Sequence, residues 1–410
     1  MQQNELIPHL FRTEYGKIVA VLCNTFGLQH IEVAEDIASD TFLKASEVWS
    51  IKGAPPNPAA WLYTVAKNKT KDYFKHQAVI EAQIKQVAKE GGNETEQYEV
   101  FTEQNIADSQ LSMIFAVCSP ANPIEAQICL ALQILCGFSV EEVANAFLAK
   151  PETIKKRLLR ARGQLRNDNF QIRLLGEKEV KERLEAVIKT LYLLFNEGYF
   201  SKTNSQLIRK ELCAEATRLA IILSENPLTN TTSVNALLAL FCFQGSRLDA
   251  RINEQSEAIL FDQQDKNLWD KSLIERGNYY MTKAFRGDEF SNYHLEAGIA
   301  YWHACGTEEN KWPHILRWYD QLVLIEHSPV TALNRLFALA KCDGNEKAIA
   351  AAEKMALEGN GYYHALLGYL YASTDVRKAI EHYQKAIAIT KSKTEQQAMA
   401  KEIKRLTKDL

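Results

Sequence analysis

The side chains in this sequence that could do chemistry gather as cations and aromatic rings, the groups that bind phosphates and bases. Residues 148–166 hold seven cationic side chains (Lys150, Lys155, Lys156, Arg157, Arg160, Arg162 and Arg166) against one anionic, Glu152. Thr153, Lys156, Arg157 and Arg160 recur at three- and four-residue steps, while Ile154, Leu158 and Ala161 make a second, apolar stripe. Pro151 opens this helix at the position where proline is tolerated. The run before it, through Phe138, Val143, Ala144 and Phe147, is apolar at helical spacing, so residues 137–166 form a helix-turn-helix pattern. A basic helix held across an apolar scaffold helix suits the DNA major groove, where phosphates supply affinity and base edges supply sequence preference. Most Lys/Arg runs on helices are solvated faces; the ordered apolar pattern ahead of this one favours DNA. Lys150, Glu152, Thr153, Lys155, Lys156, Arg157 and Arg160 are the candidate base readers, with Arg162 and Arg166 assigned to phosphates.

A second segment, residues 58–76, interleaves Trp61, Tyr63, Tyr73 and Phe74 with Lys67, Lys69, Lys71 and Lys75. Unpaired bases need flat surfaces to stack on and cations along their backbone, and this helix offers both. An amphipathic helix with aromatics in its core is the plain alternative. Trp61, Lys67, Asn68 and Lys71 are the candidates for opened DNA.

These segments need a scaffold, and the apolar spacing provides helices for it. Phe11, Tyr15, Ile18, Val19, Leu22 and Phe26 step by three and four up to Gly27, and Ile37, Thr41, Phe42, Ala45 and Val48 do the same in the next run. Asn57-Pro58 is a cap followed by a first-turn proline. Residues 77–107 are polar and acid-rich around Gly91-Gly92-Asn93 and read as a linker. Helices on either side of residues 119–123 then lead into the basic segment. Beyond residue 176 the pattern is almost continuously helical, with expected breaks at Gly198, Gly277, Pro313, Pro329, Gly344 and Gly361, as stacked helical hairpins require. Leu367, Gly368, Tyr371, Ala379, Tyr383 and Ala386 resemble a tetratricopeptide unit, and residues 331–356 a weaker copy. The fold class is therefore all-α.

A net charge of -3 over 410 residues confines any nucleic-acid surface to part of the chain. The eight cysteines lack metal-ligand spacing and read as small buried hydrophobes of a reducing cytoplasm. No stretch approaches a membrane span, HExxH, GxSxG and nucleotide-binding glycine motifs are missing, and neither enzyme activity nor a cofactor or metal is expected. His294 and His303 lie in an apolar helical stretch as structural residues.

Taken together, the amino-terminal segments resemble the extracytoplasmic-function sigma factors of bacterial RNA polymerase. AEDIASDTFLKA (34–45) is similar to their polymerase-binding helix, with Ser39 and Asp40 in place of Gln and Glu. PAAWLYTVAKNKTKDYFKH (58–76) looks like their promoter-melting helix, and GFSVEEVANAFLAKPETIKKRLLRAR (137–162) like their region-four helix-turn-helix, although Leu148 replaces a common glycine and Lys150 a usual capping serine. LYLLFNEGYF (191–200), ELCAEATRLA (211–220) and later segments look like the long helical extension of one subgroup. The resemblance implies a region-two domain at 1–76, a linker at 77–107, a region-four domain at 108–168 and a helical, tetratricopeptide-like extension at 176–410. It implies core RNA polymerase and promoter DNA, duplex and melted, as partners. Asp36, Ser39, Asp40, Phe42, Leu43 and Lys44 would form the polymerase-binding face. The extension would regulate, through an intramolecular contact or a protein or peptide ligand. Asn196-Glu197-Gly198-Tyr199 is either a contact motif or a helix cap with a left-handed glycine. Two other classes stay open: a stand-alone helix-turn-helix regulator with a helical sensor domain, which leaves residues 58–76 unexplained, and an interaction scaffold.

Overall fold

Apolar residues at three- and four-residue intervals become the inward faces of helices throughout. The computed structural model describes residues 3–85, 101–147, 149–167, 177–200, 206–251, 259, 263–287, 290–307, 310–326, 328–355, 357–390 and 393–408. Among the described residues the regular structure is helical, with no strand, as the sequence pattern requires. The chain divides into two compact units, Met1–Asn230 and Thr231–Leu410.

In the first unit, α1 (Gln3–Phe26) runs to Gly27, whose φ of 90° ends the helix. It packs on α2 (Ile31–Lys52), α3 (Pro58–Lys85) and α4 (Glu103–Val117). The loop from α2 to α3 turns at Gly53, φ 78°, and Asn57 caps α3 by accepting the Ala60 amide at 3.0 Å. Residues 86–100, the middle of the expected linker, lie outside the described residues, as does Leu148 in the later turn. α5 (Ile124–Leu130) continues into a π-helical turn, Ala131–Leu135, and is followed by α6 (Val140–Ala146) and α7 (Pro151–Asn167). Gly16 of α1 lies against that turn so closely that a Cβ would come within 2.4 Å of the Leu135 carbonyl. Glycine there lets two backbones meet.

The next two helices complete this unit. α8 (Glu177–Phe200) and α9 (Gln206–Glu225) form a hairpin packed on α4 and α5, and α9 also meets α6. Thr190 of α8, fully buried, donates to Gln127 Oε1 of α5 at 2.8 Å, and Arg218 of α9 donates to the Leu135 carbonyl at 3.2 Å. The expected helix end at Gly198 is corrected: it lies within α8, and the described glycines with positive φ are Gly27, Gly53, Gly137 and Gly344. Leu194, Phe195 and Tyr199 are buried around it, so continuing the helix keeps an apolar face covered.

The second unit strings together α10 (Thr232–Gly245), α11 (Lys271–Ala284), α12 (Asn292–Cys305), α13 (Lys311–Ile325), α14 (Pro329–Asp343), α15 (Asn345–Ala352), α16 (Gly361–Tyr371), α17 (Val376–Ile389) and α18 (Lys393–Lys408). From α12 onward each helix packs on the next. Two further expected breaks are absent. Pro313 sits in the first turn of α13, where no hydrogen bond is lost, and Gly277 lies inside α11 because the Phe243 ring of α10 presses on its backbone. Leu367, Gly368, Tyr371, Ala379, Tyr383 and Ala386 are all buried, in the core between α16 and α17. Cys305 is exposed and Cys342 partly so, while the other six cysteines are buried. Burial pushes the Cys118 and Cys242 thiols up to about 12. His294 is fully buried: its Nδ1 accepts the Ser291 amide at 3.0 Å and its Nε2 lies 3.2 Å from the Ala284 carbonyl.

Candidate nucleic-acid interface

The back of α7 is a continuous apolar stripe of Ile154, Leu158, Ala161 and Leu165, buried against α5 and α6. That fixes which side is free. Lys150, Glu152, Thr153, Lys155, Lys156 and Arg160 are exposed. Lys155 and Glu152 pair at 3.2 Å across one turn, a contact too solvated to hold either side chain firmly. Arg157 differs from its neighbours: it is half-buried, and its Nη1 lies 3.8 Å from the Cys129 sulfur of α5. Six of the seven proposed base readers therefore share an open face and one turns towards the scaffold.

Ahead of α7, Ser139 and Glu142 form a capping box on α6: Glu142 N–H donates to the Ser139 hydroxyl at 3.2 Å, and Ser139 N–H donates to Glu142 Oε2 at 2.7 Å. The same carboxylate pairs with Arg12 of α1, whose guanidinium lies 4.1 Å above the Phe138 ring and whose Nη1 donates to the Gly137 carbonyl at 3.4 Å. Burial tends to raise the Glu142 pKa, but the Ser139 bonds and Arg12 together hold it below the ordinary carboxylate value.

At the other end of α7 both arginines are paired, Arg162 largely shielded from solvent and Arg166 exposed. Arg162 donates from Nη1 and Nη2 to the two oxygens of Glu35 on α2, at 2.6 and 2.7 Å, and Nη2 also reaches Gln133 Oε1 at 2.8 Å. Arg166 pairs with Glu32 at 2.7 Å. Carboxylates thus stand where phosphates were expected. Together with Arg12 and Glu142, these contacts clasp α1 and α2 onto α6 and α7. A cleft of about 590 Å³ beside the clasp is lined by residues that include Phe11, Arg12, Tyr15, Glu35, Phe138 and Arg162.

On α3, Thr64, Asn68, Lys71 and Lys75 are exposed along one side, with Trp61 and Lys67 half-buried at its margins. The four candidates Trp61, Lys67, Asn68 and Lys71 thus fall within one arc of the helix. Trp61 packs at 5.2 Å on the buried Trp49, leaving its edge beside the polar face. Tyr63 points elsewhere: its hydroxyl donates to the buried Glu14, and its ring stacks on Phe101 at 5.2 Å with 9° between planes. Tyr73 and Phe74 pack on Phe26.

On α2, Asp36, Ser39, Asp40, Leu43 and Lys44 are all exposed, and Leu43 is 60% so. Phe42 is buried beneath them, edge-on to Phe11 at 5.0 Å, so it supports that surface from inside. Asp40 also receives Lys69 of α3 at 3.0 Å.

One feature escaped the sequence reading. Leu159 is 68% exposed in the middle of the basic face. Projecting α7 as a helix would have found it, since Leu159 lies three residues past Lys156 and opposite the stripe of Ile154, Leu158, Ala161 and Leu165.

Helices α1 to α3 carry the match that defines the class of protein: sigma-70 region 2 over residues 10–79. Residues 183–285, running from α8 into α11 and beyond its end, match a family of unknown function, DUF6596. The chain belongs to the sigma-70 family and has a sigma factor's role in transcription initiation, with RNA polymerase and promoter DNA as partners. It shares its family with the uncharacterized protein R00370 of Rhizobium meliloti (strain 1021), 31% identical over 348 residues that cover 83% of this chain and 82% of that protein. No solved structure matches it. Among the described residues no helix is long and apolar enough to cross a membrane.

Proposed function

We propose that the chain is an extracytoplasmic-function sigma factor that docks on core RNA polymerase through α2, reads duplex promoter DNA through α7 and captures opened bases on α3. The observation carrying this reading is that the three helices each bury one face and leave open the residues such contacts need: Asp36, Ser39, Asp40, Leu43 and Lys44; Lys150, Glu152, Thr153, Lys155, Lys156 and Arg160; and Asn68 and Lys71, with Trp61 and Lys67 beside them. Unstacking costs a few kcal/mol per step, and aromatic stacking returns about 1–3 kcal/mol per base, so capture on α3 needs no nucleotide hydrolysis. The helices after α9 form the tetratricopeptide-like part of a regulatory extension. A stand-alone regulator leaves the sigma-70 region 2 match without a purpose.

The test is run-off transcription with purified core polymerase on genomic fragments. Lys156→Glu abolishes promoter binding while co-purification with polymerase persists; survival of both removes α7 from the reading role. Truncation also tests the extension. Because α8 and α9 are built into the first unit, the informative cut falls after Asn230 rather than before α8. An altered promoter output is expected from that cut, and unchanged output refutes a regulatory role.

A further inference from the structure

We infer that Leu159 is a specificity-determining residue that seats the C5-methyl group of a thymine in the major groove. The inference rests on the DNA-reading role proposed for α7.

Three leucines occur in this helix, and two of them, Leu158 and Leu165, are buried at 3% and 1% exposure. Leu159 is 68% exposed, and its surroundings are cationic or polar: Lys155 and Lys156 one turn before, Arg160 beside it, Glu152 two turns before. Such a charge pattern brings phosphates, not an apolar protein surface. Within the major groove the one apolar feature of a base edge is the thymine methyl, and apolar side chains contact it. An occupant that satisfies both the surrounding cations and the central leucine is therefore duplex DNA with a thymine at that step.

Gly163 supplies a second observation. It lies one turn beyond Leu159 on the same side of α7, and a Cβ built there would meet nothing within 4 Å. Glycine inside a helix costs stability relative to alanine, and among the described residues no neighbour accounts for it. A side chain missing from the outward face lets the helix backbone approach the groove wall, which is what bringing Leu159 down to a base edge needs.

The experiment uses the full chain and a randomised duplex library. Bound duplexes are sequenced, and the most enriched one is resynthesised with each thymine replaced singly by deoxyuridine, which removes the methyl and leaves the pairing edge intact. At one thymine the wild-type chain loses about fourfold in affinity, the worth of burying one methyl group. Leu159→Ala loses a similar factor on the thymine duplex and no longer distinguishes deoxyuridine there. Because this side chain is exposed, its removal leaves folding intact, and the base substitution leaves the protein untouched altogether. Gly163→Ala raises the melting temperature and weakens DNA binding. Enrichment with wild-type indifference to every deoxyuridine, or an undiminished response in Leu159→Ala, overturns the inference while leaving DNA reading in place. If the library shows no enrichment, both fall.

Discussion

Replacing Glu35 by glutamine tests whether the clasp between α2 and α7 is a real energetic joint. The perturbed pair is bidentate, with both oxygens engaged at 2.6 and 2.7 Å, and its two side chains are only 14% and 15% exposed. Exposed pairs contribute about 0.2–1 kcal/mol, whereas removing one partner of a buried pair costs about 3–5 kcal/mol. Here glutamine keeps one acceptor for Arg162, and Gln133 retains its own contact at 2.8 Å, so an intermediate loss of about 2 kcal/mol is expected. The Arg166–Glu32 pair, at 39% and 46% exposure, should be worth under about 1 kcal/mol and should fade at high salt. A double-mutant cycle of Glu35→Gln with Arg162→Gln separates the pair from the separate desolvation effects. Hydrogen exchange of the slowest α2 amides reads it, since it follows the first unit alone. A protection loss of about thirtyfold corresponds to the expected energy. A coupling below about 0.5 kcal/mol, or one abolished in molar salt, would refute the view that this joint is partly shielded from water.

Three further outcomes follow from single sites. Ser139→Ala should destabilise the first unit by about 1 kcal/mol, because it removes the acceptor capping α6; an unchanged urea midpoint for α6 exchange contradicts this. In the second unit, burial is the main cause lowering the pKa of both His294 and His382, so each resists protonation in the folded state, while the unfolded chain takes up protons near pH 6.5. Their contribution is present above that pH and lost as it falls through the lower folded values, so α12 protection should drop between pH 8 and pH 5. A flat profile after correction for intrinsic exchange excludes it. Gly277→Ala places a Cβ 2.6 Å from the Phe243 ring, and overpacking should outweigh the gain in helix propensity for a net loss of about 1–2 kcal/mol; a rise in melting temperature would mean that the ring moves freely.

Local chemistry made much of this legible. Asn57 before Pro58, Gly27 after Phe26 and the apolar stripe of α7 are rules acting within a few residues, and the helices start, stop and face as those rules require. What was hidden depends on partners distant in the chain. Nothing within residues 160–167 says that Arg162 will meet Glu35, and a basic residue at a helix end fits a phosphate equally well. Gly277 read as a break because the ring filling its missing side chain belongs to α10. Gly198 misled for the opposite reason: its cap signal was present, but apolar neighbours on both sides kept the helix going.

The hairpin of α8 and α9 changes what an extension means for this protein. Its buried Thr190 bonds to Gln127 of α5, the helix on which α7 rests. Arg218 reaches the carbonyl of Leu135 at the end of the π turn, a turn whose backbone pattern departs from the ordinary ladder. Glu211 lies 3.7 Å from Arg12, the side chain that already ties α1 to the capping box of α6. Three separate contacts therefore run from this hairpin to the scaffold under α7 and to α1, the first of the helices that carry the region 2 match. The match to the family of unknown function begins at residue 183, inside α8, and extends past the unit boundary at Asn230. Its first part is accordingly structural support for the scaffold of α5 and α6 on which α7 packs, and a shift in α8 or α9 would be felt at α5, α6 and α1 without passing through solvent.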